Sequence, residues 1–280
     1  MLHTLLNVSC ALPERKVRAA LRQLIFNKGR ICCGHCGYFR IISLKKENRY
    51  FCKRCRKKFS ILSGTWLKNV KIPLSLIVLL LAFWLEDYQV KQCGQLTGVS
   101  IPTIRKYFRL FRLHVVKTIE FKALNHVQVD EAYFGTFRKQ ANRYAGAKWY
   151  ITQNKVCVAG IGCPSTGQLA TRVVPQRNKG LPIKNFIYQY VPTSVRVYSD
   201  GSHLYTKLRK DYWHTPREHA LGFRYAYYIE SCWSWMKRKL FKQYHHFTKK
   251  YAKEYVSELT FKFNTRKLDK NPFEYLSKLF

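Results

Sequence analysis

The stretch Val127-Gln-Val-Asp-Glu-Ala-Tyr-Phe134 has the alternating pattern of a half-buried β-strand. Successive side chains of a strand point to opposite faces, so Val127 and Val129 fall on one face and Asp130 on the other. A carboxylate in the middle of such a strand calls for an explanation. This segment is therefore the starting point for predicting both the fold and the chemistry of the chain.

The segments that follow it suggest how the strand is paired. We predict strands at Lys155–Ile161 and Leu169–Pro175, a helix at Ile183–Tyr190, and a strand at Ser194–Ser199 that ends in Asp200. Three strands, a helix and a fourth strand is the element order of a ribonuclease-H-like core. In that architecture the first and fourth strands lie side by side, so we expect Asp130 and Asp200 to converge.

A third acid, Glu230, lies in a predicted helix over Tyr228–Phe241. The apolar face of this helix, at helical spacing, consists of Ile229, Trp233, Met236 and Leu240. Glu230 and Lys237 are seven residues apart, which places them two turns apart on the neighbouring face. We therefore add Glu230 to the candidate acids.

Three acidic oxygen donors in a basic protein are what two hard cations such as Mg²⁺ require, with Mn²⁺ as a possible substitute. Two such ions roughly 3.5–4 Å apart activate a water or a 3′-hydroxyl on one side of a phosphate and stabilise the leaving oxygen on the other. Each acid also has a plainer interpretation: a charge at a strand end for Asp130, a simple turn for Asp200, and an exposed helix position for Glu230. Finding all three where one fold needs them, in a chain with only 15 acidic residues, favours the joint interpretation. The acids that we expect to have no catalytic role are Glu131, Asp211 and Glu218.

The charge of the chain indicates its partner. The 51 Lys and Arg residues outnumber the 15 acidic residues and give a formal net charge of +36. An excess of this size is typical of nucleic-acid binding, because each cation that meets a phosphate releases condensed counterions. A membrane surface is the rival polyanion, but the basic residues run through the whole chain instead of forming one anchor segment. The apolar stretch Leu74–Leu85 has only twelve residues, so we predict a buried helix and no membrane partner.

Four of the ten cysteines form two C-x-x-C pairs. Cys33 and Cys36 are separated by fifteen residues from Cys52 and Cys55, which is the spacing of a four-cysteine zinc site. We predict one structural Zn²⁺ in a zinc ribbon, whose short strands fall at Phe39–Leu44 and Arg49–Phe51. Cys32 and His35 remain alternative ligands.

Two further segments are predicted to be helical. Residues 14–29 form an amphipathic helix, and Tyr88–Arg112 forms a helix pair with a turn at Gly98. The second helix of that pair has a basic outer face, as a recognition helix in a major groove requires, although an ordinary helical hairpin would have the same pattern. The residues of this face that we expect to contact DNA are Arg105, Lys106 and Arg109.

We divide the chain into an N-terminal helical segment (1–29), a zinc ribbon (30–64), a helix-turn-helix segment (65–120) and a ribonuclease-H-like catalytic domain (121–280). The predicted fold class is accordingly α/β with a mixed sheet, preceded by two small DNA-binding modules. The scattered cysteines and the lack of an export signal predict a cytoplasmic, nucleoid-associated protein.

The sequence resembles the Merlin-related bacterial insertion-sequence transposases, which combine a zinc ribbon, a helical DNA-binding segment and a DDE catalytic domain. The motifs that carry the resemblance are CGHCG and FCKRC with SGTWLKNVKIPL, VQVDEAYFG, VYSDG, IESCWSWMKRKL with YHHFTKKY, and ELTFKFNTR. The resemblance implies that Asp130, Asp200 and Glu230 bind catalytic metal ions. It also implies that Lys237 helps to hold the transposon end, and we include the adjacent Arg238 in this contact.

The resemblance leads to an expected function. We expect cleavage of transposon ends and joining to target DNA, with double-stranded terminal repeats and target DNA as partners and a homodimer or larger oligomer in the synaptic complex. The alternative is a catalytically inactive DNA-binding protein derived from a transposase, and a simple nuclease is a weaker third possibility. The two leading hypotheses share the basic N-terminal half and differ in whether the three acids matter.

Overall fold

A computed structural model describes residues 13–26, 30–114, 116, 120–135, 155–200, 202–217, 227–245 and 247–277. Glu218 and the first twelve residues of the predicted N-terminal segment lie outside the described residues. The chain divides into two units, Met1–Thr118 with Asp269–Phe280, and Ile119–Leu268. The last twelve residues, which the sequence analysis included in segment 121–280, belong to the first of these units.

The secondary structure follows the predicted order of modules. The α-helices are α1 (Glu14–Ile25), α2 (Leu74–Leu85), α3 (Val90–Thr97), α4 (Ile101–His114), α5 (Gly180–Tyr190), α6 (Tyr227–Tyr244), α7 (Ala252–Asn264) and α8 (Pro272–Ser277). The β-strands are β1 (Ile41–Leu44), β2 (Arg49–Cys52), β3 (Lys58–Phe59), β4 (His126–Phe134), β5 (Val156–Cys163), β6 (Gln168–Val174), β7 (Arg196–Asp200) and β8 (His214–Arg217). Short 3-10 helices span Lys45–Glu47, His203–Lys210 and Lys249–Tyr251.

The first unit contains a small antiparallel sheet and a helical core. The sheet has the order β1-β2-β3, with Ile41 opposite Cys52, and it contains the two strands predicted for the ribbon. Helix α2 is the centre of the helical core, because ten of its twelve residues are buried. The apolar stretch is therefore a buried helix, as predicted, and among the described residues no helix has the length and apolar character needed to cross a bilayer.

Helices α3 and α4 form the predicted pair. Gly98 ends α3 with a positive φ of 68°, a conformation that glycine adopts without steric cost. Ile104, Phe108 and Phe111 of α4 are fully buried, as the pattern of the sequence predicted. The pair is thus a packed helical hairpin, and its role in DNA binding remains a proposal.

The second unit is built on a five-stranded mixed sheet with the order β6-β5-β4-β7-β8. Strands β4, β5 and β6 pair antiparallel, whereas β7 pairs parallel to β4 and to β8. The first and fourth strands of this unit are therefore neighbours, as the sequence predicted. The edge strand β8 was not predicted: it has four residues, and its Pro216 is typical of an edge, where one ladder hydrogen bond can be missing.

Each face of this sheet has its own apolar core. Val127 and Val129 of β4 pack with α5 on one face. Ala132 and Phe134 of the same strand pack with α6 and α7 on the other. The alternation of β4 thus assigns every second residue, including Asp130, to the face covered by α6.

Candidate active site and metal centre

Asp130 and Asp200 lie on neighbouring parallel strands and on the same face of the sheet. The register pairs Gln128 with Tyr198, so two residues further along both strands Asp130 is level with Asp200. Adjacent strands are about 4.8 Å apart, which keeps the two carboxylates close. A ring contact shows that the two side chains share a face of the sheet. His126 lies on the same face of β4 as Asp130, Tyr198 lies on the same face of β7 as Asp200, and the centroids of the His126 and Tyr198 rings are 5.6 Å apart in an edge-to-face contact.

A tryptophan of α6 holds the side chain of Asp130. Trp233 Nε1 donates a hydrogen bond of 3.0 Å to Oδ2 of Asp130. The Trp233 ring reaches this position because the residue opposite Asp130 on β5 is Gly160. A Cβ at Gly160 would lie 2.4 Å from the Trp233 ring, so only glycine leaves room for it.

The environment of Asp130 destabilises its anionic form. Burial is the largest cause, and the like charges of Glu131 and Asp200 add to it, so that the pKa of Asp130 is raised from 3.8 to about 6. Hydrogen bonds from the Glu131 backbone and from Trp233 act in the opposite direction without cancelling the shift. A cation bound near Asp130 would stabilise the anionic form of this carboxylate.

Glu230 lies in the first turn of α6, and the start of this helix is fixed against β4. The side-chain Oε1 of Gln128 accepts hydrogen bonds of 3.1 Å from the backbone amides of Tyr228 and Ile229. Gln128 is buried two residues before Asp130 on the same face. It satisfies two amides that have no partner within the helix and so sets the height of Glu230 above the sheet.

The rotation of α6 determines which way Glu230 faces. The Tyr228 and Trp235 rings contact Phe263 of α7, on the side of the sheet where β6 lies. Two residues correspond to about 200° around a helix, so Glu230 and Lys237 lie on the opposite flank, towards β7 and Asp200. The Lys237 amine is 6.0 Å from the centre of the Phe134 ring of β4, consistent with this orientation.

Asp130 and Asp200 lie on one face of the sheet, and the helix that carries Glu230 packs on the same face. In the described part of the chain, only the four cysteines bring three or more ligand atoms within 4.8 Å of one another. The acids are therefore spaced more widely than ligands of one tightly held ion. Ligands distributed over two ions roughly 3.5–4 Å apart need not be so close to one another.

Two of the acids that were expected to have no catalytic role have structural partners. Glu131 points to the opposite face of β4, where it forms an ion pair with Lys179 and accepts a hydrogen bond of 2.7 Å from the Tyr205 hydroxyl. Asp211 is bound by Tyr188 and lies 3.6 Å from the Lys184 amine.

The four cysteines of the ribbon form a compact cluster. The Cys33 and Cys55 sulfurs are 3.7 Å apart, and those of Cys36 and Cys52 are 3.6 Å apart. A tetrahedral ion with zinc–sulfur bonds of about 2.3 Å holds its sulfurs about 3.8 Å apart. The cluster thus has the dimensions of a four-cysteine metal site.

The alternative ligands take no part in this cluster. The Cys32 thiol donates a hydrogen bond to the backbone carbonyl of Arg30. His35 contacts the cluster through its backbone amide, which donates to the Cys33 sulfur at 3.4 Å. Burial opposes ionisation of Cys52, but hydrogen bonds from the Cys55 and Arg54 backbone and from the neighbouring thiols lower its pKa to about 7. The lowered pKa of Cys52 favours the thiolate form, which is the form that binds a metal.

The basic residues proposed to contact DNA are on the surface. Arg105, Lys106 and Arg109 are exposed on α4, while the buried side of that helix faces the core. Lys237 and Arg238 are exposed on α6.

Sequence reasoning missed the residues that position the acids. Gln128 has the appearance of an ordinary polar position in a strand, and Trp233 was assigned only to the apolar face of its helix. Gly160 carried a usable signal, because a glycine inside a strand indicates a close approach by another group. Nothing in the sequence identifies that group as Trp233.

Comparison with known proteins adds a family to this geometry. The chain has no match among the curated proteins. A family model for the ISXO2-like transposase domain matches residues 122–264, which is just over half of the chain. The match contains Asp130, Asp200 and Glu230 and the strands and helix that carry them. The chain therefore belongs to the ISXO2-like transposases, the DDE transposases of insertion elements.

Proposed function

We propose that this transposase cleaves the ends of its own element and joins them to target DNA by phosphoryl transfer that depends on two metal ions. The observation that supports the proposal is that Asp130 and Asp200 lie on one face of the sheet, the face on which α6, the helix that carries Glu230, is packed. All three are hard oxygen donors, which suit Mg²⁺ or Mn²⁺.

The donor set fits a divalent cation. Asp130 is partly buried, and its anion is disfavoured by this burial and by the like charges of two neighbouring acids, so a nearby cation would stabilise it. Bound Mg²⁺ would activate the attacking water or 3′-hydroxyl and stabilise the leaving oxygen. Asp130, Asp200 and Glu230 would hold it. Trp233 and Gln128 are positioning residues, because they act on Asp130 and on the start of α6.

The rest of the chain supplies affinity for DNA. We propose that the exposed cations of α4 contact the duplex and that Lys237 and Arg238 contact the transposon end. Lys237 is on the same flank of α6 as Glu230, two turns further along. It is therefore placed to neutralise a phosphate next to the one that reacts. Synapsis of two ends would require at least a dimer.

The four cysteines are proposed to hold one structural Zn²⁺. A ribbon of this size has too small a core to fold alone, and the apolar cluster of its described residues surrounds the thiols, with Ile31 and Phe59 beside them. The ion would therefore act through folding and not through catalysis.

The experiment is a strand-transfer assay with duplexes carrying the terminal sequences of the element, a target plasmid and Mg²⁺. Asp200→Ala is expected to lower the rate of joining by at least a thousandfold, about 4 kcal/mol of activation free energy. Asp211→Ala is the matched control, since Asp211 lies outside the site, and it should join at close to the parental rate. If Asp200→Ala joins as fast as the parent, the proposed mechanism is wrong. A parent that binds the ends without cutting them, whichever metal is added, would instead be an inactive DNA-binding derivative.

A further inference from the structure

A cleft separates helix α1 from the β1–β2 hairpin of the ribbon. It has a volume of about 260 Å³ and is bordered by both elements, which belong to the same unit. Its lining contains five cationic side chains and no acidic one. These are Arg15, Arg18 and Arg22 of α1, Lys45 of the hairpin turn, and Arg49 of β2.

The helix presents its arginines as a regular stripe. Positions 15, 18 and 22 are separated by three and four residues, so they share one face of α1. The opposite face carries Val17 and Leu21, which are almost fully buried and fix the rotation of the helix. From Arg15 to Arg22 the helix rises by about 10 Å. Along the axis of a duplex, three successive phosphates of one strand cover about the same length.

The acids closest to the cleft are already engaged elsewhere. Glu47 of the hairpin turn is bound by Lys58 at 2.9 Å, across the small sheet. Glu14 accepts hydrogen bonds from the backbone amide and the hydroxyl of Ser75, and it pairs with Arg18 at 3.4 Å.

Four of the five cations have no acidic partner among the described residues. Within the part of the chain that the structure describes, no ion pair is made by Arg15, Arg22, Lys45 or Arg49. Cations that are close together without an anion repel one another. The free energy of the cleft therefore falls when an anion binds there.

We infer that this cleft between α1 and the ribbon binds the phosphodiester backbone of duplex DNA. The inference rests on the proposed function, because it names the place where the ribbon contacts the DNA. Arginine is suited to this role, since its planar guanidinium donates two parallel hydrogen bonds to phosphate oxygens. Five of the eleven lining residues are cationic, and cations that contact phosphates position a duplex without reading its sequence.

The test is a titration of a fluorescent duplex of arbitrary sequence with the full-length protein at several salt concentrations. Each phosphate contact contributes about 0.9 to the slope of log K against log salt concentration. The triple variant Arg15→Ala/Arg22→Ala/Arg49→Ala should lower that slope by about 2 to 3 and weaken binding at low salt by at least tenfold. All three residues are exposed, and a circular dichroism spectrum and a zinc determination verify that the ribbon stays folded.

The matched control is Lys16→Ala/Lys68→Ala/Lys71→Ala, which removes the same charge from exposed positions outside the cleft. It should change the slope by less than 1. Equal losses in the two variants would overturn the cleft as a site and leave the proposed function intact. A parent that does not bind the duplex at all would refute the proposed function and this inference with it. Arginine-dependent binding to phosphatidylserine vesicles in place of the duplex would also overturn the inference.

Discussion

The cysteine cluster of the ribbon and the carboxylates of the sheet are assembled in different ways. The four thiols come from two short knuckles separated by fifteen residues, and their sulfurs lie close together before any ion is considered. The three carboxylates come from two strands and a helix spread over a hundred residues, and they stay further apart. Carboxylate anions repel one another at close range. We therefore expect the first site to depend on its proposed ion for folding, and the second to be held in place by the fold before an ion binds.

The largest expected effect comes from removing one thiol. Cys52→Ser should abolish zinc binding and unfold the ribbon, because the apparent free energy of binding a structural zinc is about 10 kcal/mol or more. Hydrogen exchange with mass spectrometry on the full chain would show loss of protection over residues 41–59. Peptides from β5 and β6 should keep their protection, since they belong to the other unit with its own core.

Cys32→Ser is the control for this experiment. Cys32 adjoins the cluster in sequence but its thiol bonds to a carbonyl, so the variant should retain both zinc and protection. A Cys32→Ser protein that loses its zinc would show that the ligand set is wrong. The same conclusion would follow from a Cys52→Ser protein that keeps both zinc and protection.

A smaller effect is expected where the fold itself holds the carboxylates. Gly160→Ala places a Cβ 2.4 Å from the Trp233 ring, so the ring must move and with it the hydrogen bond to Asp130. Overpacking of this kind costs about 2 to 3 kcal/mol of the free energy of unfolding. Chemical denaturation of the full chain, followed by tryptophan fluorescence, measures the change.

Gly180→Ala is the matched control for that substitution. A Cβ at Gly180 would lie 3.7 Å from Leu204, an ordinary contact, at the start of helix α5. We expect its effect to lie within about 0.5 kcal/mol of the parent, or to be slightly stabilising. Equal destabilisation by both variants would contradict the close approach of Trp233 to β5.

The same contrast explains how much the sequence could predict. The clustering of the four cysteines was predictable, because their spacing within a short segment is typical of such a site. The alternation of β4 and the order of the following elements were enough to predict the pairing of β4 with β7. The anchoring of α6 by Gln128 and the contact of Trp233 with Asp130 were not predictable, since they join residues about a hundred positions apart. The unit membership of α8 also depends on such distant contacts, whereas β8 was missed because its four residues include a proline and show no clear strand pattern.

The last prediction concerns the destabilisation of the folded state by the Asp130 anion. Most substitutions lower the free energy of unfolding, whereas this one is expected to raise it. The pKa of this carboxyl has its ordinary value of 3.8 in an unfolded chain and rises to about 6 in the folded protein. Above pH 6 the group is ionised in both states, and the folded state bears the penalty of a buried anion. Well below pH 3.8 it is protonated in both states, and the penalty is absent. Asp130→Asn should therefore raise the free energy of unfolding at pH 8 by up to about 3 kcal/mol, with a gain that shrinks as the pH falls from 6 towards 3.8.

The control for Asp130→Asn has the opposite sign. The pKa of Asp211 is lowered, chiefly by the hydrogen bond from Tyr188 and further by Lys184, so its charge stabilises the folded state above the unfolded pKa. Asp211→Asn should accordingly lose stability at pH 8 and approach the parent as the pH falls. Both variants are measured by denaturation in buffer free of divalent cations.

The same denaturation measurement is then repeated with millimolar Mg²⁺, which should stabilise the parent but not Asp130→Asn. An ion that binds only the folded state adds RT ln(1 + [Mg²⁺]/Kd) to the free energy of unfolding. If Asp130→Asn is less stable than the parent at pH 8, the folded state does not disfavour the Asp130 anion. A bound cation would then have no such penalty to offset.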